Sequence, residues 1–273
     1  MTASQLVLAI DLDGTLLADN DQIHPNDIDL IRQGLPFPII LATGRSLSGV
    51  RRPLLRNGLL RPESPVPFAQ VINNGALTFL PFEQVWRHTL FDPALAAQLA
   101  AVSLRHPEAT FLFQSERDVF QVGDTPAGRR AIEMYGFAPI PLDLPDAALP
   151  HFSKLMCLSE QRPVLDAVAA DLSGLPVHGN YSLSNIYEAT PLGIDKASGL
   201  ATLLPALGLE KAFLLAAGDG DNDAGMFALA GCTFAPRHGR EHIRALATHV
   251  IDAHTHGILG PILDRAADCL ARV

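Results

Sequence analysis

Short runs of aliphatic and β-branched residues alternate along much of this chain with stretches whose apolar residues recur at helical spacing. The first pattern marks a buried strand and the second an amphipathic helix, so their alternation predicts βα units stacked on a parallel sheet. Near the start, "LVLAID" is a strand, "NDIDLIRQGL" a helix capped by Asn26 and closed by Gly34, and "PFPIILAT" a second strand. "SLSGVRRPLLRNG" then makes a helix capped by Ser46 and ended by Gly58, and "FAQVINNG" a third strand. After Pro191 the alternation resumes through "DKASGLATLLPALG", "AFLLAAGD", "NDAGMFALAG", "CTFAP", "REHIRALAT" and "HVID", and the chain ends on a helix.

The middle block differs. "ATFLFQSERDVFQV" pairs two extended runs around a polar "SERD" that suits a hairpin turn. Helices interrupt such runs: one with Asp92 at its N-cap and Pro93 behind it, one repeating that arrangement with Thr125 and Pro126, and a third in "RPVLDAVAADLSG". The expected class is α/β, a Rossmann-like core with a parallel sheet assembled from residues 1–78 and 191–273, with an α+β domain of residues 79–190 inserted between them.

At 273 residues, the chain suits two unequal domains better than one. With 48% hydrophobic and 18% charged residues it can bury a large core and lacks the composition of a disordered chain. Twenty Lys and Arg against 29 Asp and Glu give a net charge of −9 without a basic run, which disfavours nucleic acid and anionic membranes as partners. Cys157, Cys232 and Cys269 lie far apart without CxxC spacing, so they read as small buried hydrophobes and not as a disulfide framework or zinc ribbon. The opening "MTASQLVLAIDLDG" has no basic leader and its apolar run is cut by Asp11, so a cytoplasmic protein is expected.

Two strand ends carry acids. Asp11 and Asp13 point to one side at the carboxyl end of the first strand, the edge at which open parallel sheets bind ligands. A second buried strand empties into Asp219, Asp221, Asn222 and Asp223. A calcium loop would need Gly and Glu where Ala224 and Ala230 stand, and a dinucleotide fingerprint would need a third glycine where Asp223 stands. What remains is a hard divalent cation, Mg²⁺, shared by Asp11 and Asp219. Phosphoryl chemistry beside it needs donors and a cation. "IILATGRS" offers Thr43, Gly44 and Arg45 at a strand end before a helix, and Lys196 sits in the first turn of a helix, where it opposes the macrodipole unless an anion is near.

In order and spacing, "DLDGTL", "LATGRS", the lone Lys196 and "GDGDND" resemble the four motifs of the haloacid dehalogenase superfamily of phosphatases. The insertion is similar to the C2 cap of the Cof-like, class IIB sugar-phosphatase branch, and "INNGA" at 72–76 looks like that branch's crossing from core to cap. The resemblance implies that Asp11 is the nucleophile and Asp13 the acid and then the base. It also implies that Mg²⁺ rests on the Asp11 carboxylate, the Asp13 backbone carbonyl and Asp219 with Asp223 nearby, and that Thr43, Gly44, Lys196 and Asn222 hold the phosphoryl group. Asp13 would have to be protonated for the first step, which calls for burial or a like charge around it.

One segment departs from the Cof-like pattern. Where a small "GNA"-like loop is usual, this chain has "APRHGREH" with Pro236, Arg237 and His238. The pairs His238/His242 and His254/His256 lack an evident third ligand and are not expected to bind metal. Arg45 is read as a contact for a second anionic group of a substrate. Arg117, Arg129 and Arg130 are expected on a solvated surface, and Met134 and Met156 in the core. The expected activity is Mg²⁺-dependent hydrolysis of a small phosphate monoester, a sugar phosphate in particular, through an aspartyl phosphate. The alternatives are a phosphosugar phosphomutase, a mannosyl-phosphoglycerate-type phosphatase, and a binding protein without turnover.

Overall fold

The computed structural model describes residues 6–144 and 148–270; the first five residues, part of the opening segment read above, lie outside the described residues. β1 (Leu6–Ile10) leads into a small hairpin of β2 (Leu17–Ala18) and β3 (Gln22–Ile23), followed by α1 (Pro25–Gln33), β4 (Ile39–Ala42), α2 (Leu47–Arg56) and β5 (Ala69–Ile72). Two antiparallel strands, β6 (Leu77–Leu80) and β7 (Gln84–His88), extend the same sheet. The sheet therefore runs past the 78/79 boundary drawn from sequence, because "LTFL" pairs back onto β5 before the chain leaves.

The inserted block contains α3 (Pro93–Arg105), β8 (Thr110–Gln114), β9 (Val119–Val122), α4 (Pro126–Tyr135), β10 (Ile140–Pro141), β11 (Lys154–Leu158), α5 (Arg162–Leu172), β12 (Val177–Leu183) and β13 (Ile186–Pro191). It forms its own six-stranded sheet in the order β10-β9-β8-β11-β13-β12. The "SERD" turn joins β8 and β9 as an antiparallel pair. The chain returns through α6 (Lys196–Ala206), β14 (Phe213–Ala217), α7 (Ala224–Leu229), β15 (Cys232–Pro236), α8 (Glu241–Leu246), β16 (His249–Ile251), α9 (Ala253–His256) and α10 (Leu259–Leu270). The first sheet has the order β16-β15-β14-β1-β4-β5-β6-β7, and every pairing from β16 to β5 is parallel.

Alternation along β1 explains the layering. Leu8 and Ile10 face a core built with Leu47, Val50, Ile258 and Ile262, whereas Val7 and Ala9 face another with Leu200, Leu203, Met226 and Ile243. Helices thus cover both faces of the first sheet. In the second sheet, Phe111, Phe113, Leu155 and Tyr187 pack with α3 and α5, while Leu112, Met156, Leu158 and Ile186 pack beside Ala131 of α4.

Two local expectations change. α1 begins at Pro25 with His24 as N-cap, its Nδ1 accepting from the Asn26 backbone, because proline takes the first helical position and moves the cap back. Cys232 and Cys269 form a disulfide with a Cα–Cα distance of 5.9 Å, since α10 packs its last turns against the start of β15. Their separation in sequence says nothing of that neighbourhood.

Candidate active site

β1 is central, and the chain leaves it toward β4 on one side while β14 returns on the other, so a crevice opens at its carboxyl end. The parallel register sets Ile10 opposite Ala217, and the Asp11 backbone N–H donates to the Ala217 carbonyl at 2.9 Å. Asp11 and the loop after β14 are therefore brought together across some two hundred positions of sequence. Carboxylate oxygens of Asp11, Asp219 and Asp223 lie within 4.8 Å of one another.

Gly14 makes the close approach possible. Its φ of +73° suits glycine, and a Cβ there would stand 2.5 Å from an Asp219 oxygen. Thr15 Oγ1 donates to Asp219 Oδ1 at 3.5 Å. Asp223 closes the far side of its loop by accepting from the backbone N–H groups of Asp219 and Gly220 at 2.9 and 3.0 Å.

Lys196 is fully buried, and its ammonium donates to Asp11 Oδ1 at 2.6 Å and Asp223 Oδ1 at 2.7 Å. These carboxylates are the anions that its position in the first turn of α6 requires. Burial alone would lower the Lys196 pKa, but the charges of Asp11 and Asp223 outweigh it and raise the pKa above the ordinary range. The Asp11 pKa is raised well above the usual carboxylate value, chiefly by burial, with Lys196 opposing and Asp223, Asp219 and Asp13 adding to the rise. Burial, followed by the charge of Asp223, pushes Asp219 up to about 6. Three crowded acids, two of them joined by one ammonium, form an all-oxygen donor set of the kind a hard cation such as Mg²⁺ prefers.

Gly75 places α6. It has φ +97°, and the Asp195 carbonyl lies 1.9 Å from where its Cβ would be. Asp195 caps the helix, accepting from the Ser198 N–H at 2.7 Å while Ser198 Oγ accepts from the Asp195 N–H at 2.9 Å.

Thr43 is fully buried at the end of β4, where its hydroxyl accepts from the Arg45 N–H at 3.1 Å. The N-terminus of α2 is capped by Ser46, which accepts from Gly49 N–H at 3.3 Å, so Thr43 and Gly44 precede the helix instead of forming its first turn. Asn222 donates to Asn74 Oδ1 at 3.1 Å.

Asp13 and Arg45 depart from expectation. The Arg45 Nε lies 2.9 Å from Asp13 Oδ2 and its Nη2 2.5 Å from Oδ1. Nη2 also meets Asp21 at 2.7 Å, and Nη1 donates to the Gly49 carbonyl at 3.1 Å. All three guanidinium nitrogens are thus engaged within the chain, so a substrate contact by Arg45 would compete with Asp13, Asp21 and the Gly49 carbonyl. The Asp13 side chain is 54% exposed and not buried.

The departing loop after β15 lines the rim. His238 Nε2 lies 2.7 Å from the Gly14 carbonyl, His242 Nε2 lies 2.6 Å from Asp221, and Arg240 pairs with Asp221. Arg117, Arg129 and Arg130 are exposed and pair with Glu116, Asp124 and Glu160. Met134 is exposed on α4, outside the core expected for it, whereas Met156 is buried.

Above the acids lies a cavity of about 380 Å³, walled by both sheets. Its upper wall holds Gln114, Tyr135, Phe137, Lys154, Asn180, Tyr181, Ser182 and Glu188, none of which was singled out from sequence except as part of an element. The available signal was a charge inside an apolar strand, Lys154 in "SKLMCL" and Glu188 in "IYEATP". Both are buried, at 1% and 5% exposure, and pair at 2.7 Å.

A family model described as haloacid dehalogenase-like hydrolase matches residues 8–260. A phosphoglycolate phosphatase of Natronomonas pharaonis is 27% identical over 96% of this chain and 97% of its own length. Among solved structures, a haloacid dehalogenase-like hydrolase from Bacteroides thetaiotaomicron aligns with TM-score 0.78 at 21% identity, covering 96% of this chain and 99% of that one. A HAD subclass IIB sugar phosphatase aligns with TM-score 0.78 at 18% identity, covering 95% and 98%.

Proposed function

The chain belongs to the haloacid dehalogenase-like hydrolase family, and from that premise we propose that it hydrolyses small phosphate monoesters, sugar phosphates in particular, through an aspartyl phosphate on Asp11. The observation that carries the reading is the buried Lys196 ammonium joining Asp11 to Asp223 at the floor of the cavity, with Asp219 alongside.

Asp11 Oδ attacks phosphorus, the ester P–O bond breaks, and Asp13, having turned from Arg45 and taken up a proton from solvent, gives that proton to the leaving alkoxide. Water then attacks phosphorus, Asp13 takes its proton, and orthophosphate leaves Asp11 free. Lys196 offsets the repulsion between Asp11 and an anionic ester. Thr43, the Gly44 backbone, Lys196 and Asn222 hold the phosphoryl oxygens. Asp11, the Asp13 carbonyl and Asp219 would hold Mg²⁺, with Asp223 fixing the loop behind them. The ion would supply charge neutralisation and orientation of a phosphoryl oxygen.

The cavity favours an uncharged leaving group. Its basic side chains are each committed to a carboxylate: Arg45 to Asp13 and Asp21, of which Asp21 stays when Asp13 turns to the substrate, Lys154 to Glu188, and Arg240 to Asp221. No uncommitted cation is found among the described residues of its wall to meet the carboxylate of a phosphoglycolate-like substrate. Gln114, Asn180 and Ser182 offer neutral groups for hydroxyls, and the rings of Tyr135, Phe137 and Tyr181 offer apolar faces, which is the wall a sugar needs.

The test is phosphate release from p-nitrophenyl phosphate and from a panel of sugar phosphates and phosphoglycolate, with Mg²⁺ and with EDTA. Turnover should need the metal, favour the sugar phosphates and vanish in Asp11→Asn with the fold intact. Full activity of that variant would refute the nucleophile.

A further inference from the structure

Four polar side chains link the inserted sheet to the floor of the site. Lys154 on β11 donates to the Gly44 carbonyl at 2.6 Å and pairs with Glu188 on β13 at 2.7 Å. The other oxygen of Glu188 accepts from Asn74 Nδ2 at 2.8 Å, and Asn74 Oδ1 accepts from Asn222 Nδ2 at 3.1 Å. Asn74 is 5% exposed and has a left-handed φ of 52°, so its amide is held in place by backbone and burial alike.

The donors and acceptors in this chain leave one arrangement. A carboxylate only accepts, so Asn74 must turn its NH₂ toward Glu188. Its carbonyl oxygen then faces Asn222, which must turn its own NH₂ inward. One N–H of Asn222 is spent on Asn74 and the second remains for an anion. Were Glu188 absent, Asn74 could flip, and Asn222 could follow and offer a carbonyl oxygen where a donor is needed. Lys154 pairs with the buried Glu188 and ties it to the loop that carries Thr43 and Gly44.

We propose that Lys154 and Glu188 are positioning residues through which the seated inserted domain orients the Asn222 amide as a donor to the phosphoryl group. The inference rests on the phosphatase reading of this pocket. It assigns to two strand residues of the insertion a part in phosphate binding that does not require them to touch the substrate, and it makes a complete phosphate pocket conditional on the domain being seated.

A cycle of variants tests it. Removing one partner of a buried pair leaves a charge exposed to an apolar wall, so the pair is replaced together as K154M/E188L, and melting temperatures confirm folding. This variant should lose roughly ten- to a hundredfold in kcat/KM, as expected for losing a donor to transition-state charge. The loss should be the same factor for p-nitrophenyl phosphate and for a sugar phosphate, and affinity for inorganic orthophosphate, titrated by calorimetry with Mg²⁺, should fall in step. Asn222→Ala should show a similar loss, and the triple variant should be no worse than Asn222→Ala. K154M/E188Q, which keeps an acceptor for Asn74 without leaving Lys154 unpaired, should recover most of the activity. Losses that multiply in the triple variant, that depend on the leaving group, or that are as large in K154M/E188Q as in K154M/E188L would overturn the proposal. A parent protein without turnover would instead defeat the phosphatase reading, and the orthophosphate titrations would still decide whether Glu188 and Asn222 act as one.

Discussion

Cys157 shows how one residue's chemistry follows from its neighbours. It lies on β11 at 1% exposure among Phe113, Leu155 and Tyr187, and burial, with a smaller effect of Glu108, pushes its thiol up to about 12. An unfolded cysteine titrates near ~8.5, so the folded protein holds this proton more tightly than the unfolded chain does. The sign follows: the group leaves stability unchanged below about pH 8.5 and subtracts from it as pH rises through the gap toward 12. Because the thiolate is the reactive form, Cys157 is expected not to react with an aromatic disulfide reagent at about pH 8.5 in buffer and to react quickly in urea. Fast reaction of the folded protein would refute the burial argument. Sequence already placed Cys157 in the core from its residue type, but the same reading of Cys232 and Cys269 missed their bond, because pairing depends on which helix covers which strand.

Elements are positioned here by a few close approaches. Asp27, at 1% exposure in α1, accepts from the N–H groups of Ile258 and Leu259 at 2.9 Å each and so receives the start of α10. Asp27→Ala leaves both donors buried without an acceptor and should lower stability by about 2–4 kcal/mol, read as a lower urea midpoint with unchanged slope. Gly75→Ala drives a Cβ into the Asp195 carbonyl at a positive φ, so α6 must shift and carry Lys196 from Asp11. We expect a loss of more than about 2 kcal/mol together with a drop in kcat. An active, fully stable Gly75→Ala protein would show that α6 is not held by this contact. Helix periods, Ser46, Asp92 and Thr125 as caps, and the turn in "SERD" were all legible because they are local. The cap at Asn26 was misplaced by two residues because Pro25 fits the first helical position better.

For the whole molecule, contacts between the two sheets' layers decide how the cavity closes. Arg52 on α2 donates to the carbonyls of Glu133 and Met134 at the end of α4, at 3.0 and 2.6 Å, and pairs with Asp21 at 3.4 Å. It is partly exposed, so Arg52→Ala should change stability by less than about 1 kcal/mol. A less firmly seated insertion should nonetheless raise KM severalfold while kcat changes little, measured by steady-state kinetics on one substrate. An unchanged KM would show that Arg52 does not contribute to closure. Sequence alone determined the βα alternation, the interrupting α+β segment and the acids at the ends of β1 and β14, because hydrophobic period and strand-end position are properties of neighbouring residues. That the family expected from the four motifs is the one matched reflects the same local order. Only the tertiary structure decided that Arg45 serves Asp13 and Asp21, that Lys196 joins Asp11 to Asp223, that β6 and β7 extend the first sheet, and that Lys154 and Glu188 reach Gly44 and Asn74. Each of these depends on segments far apart in sequence meeting in space, and a buried charge declares its partner only once the surrounding layers have closed over both.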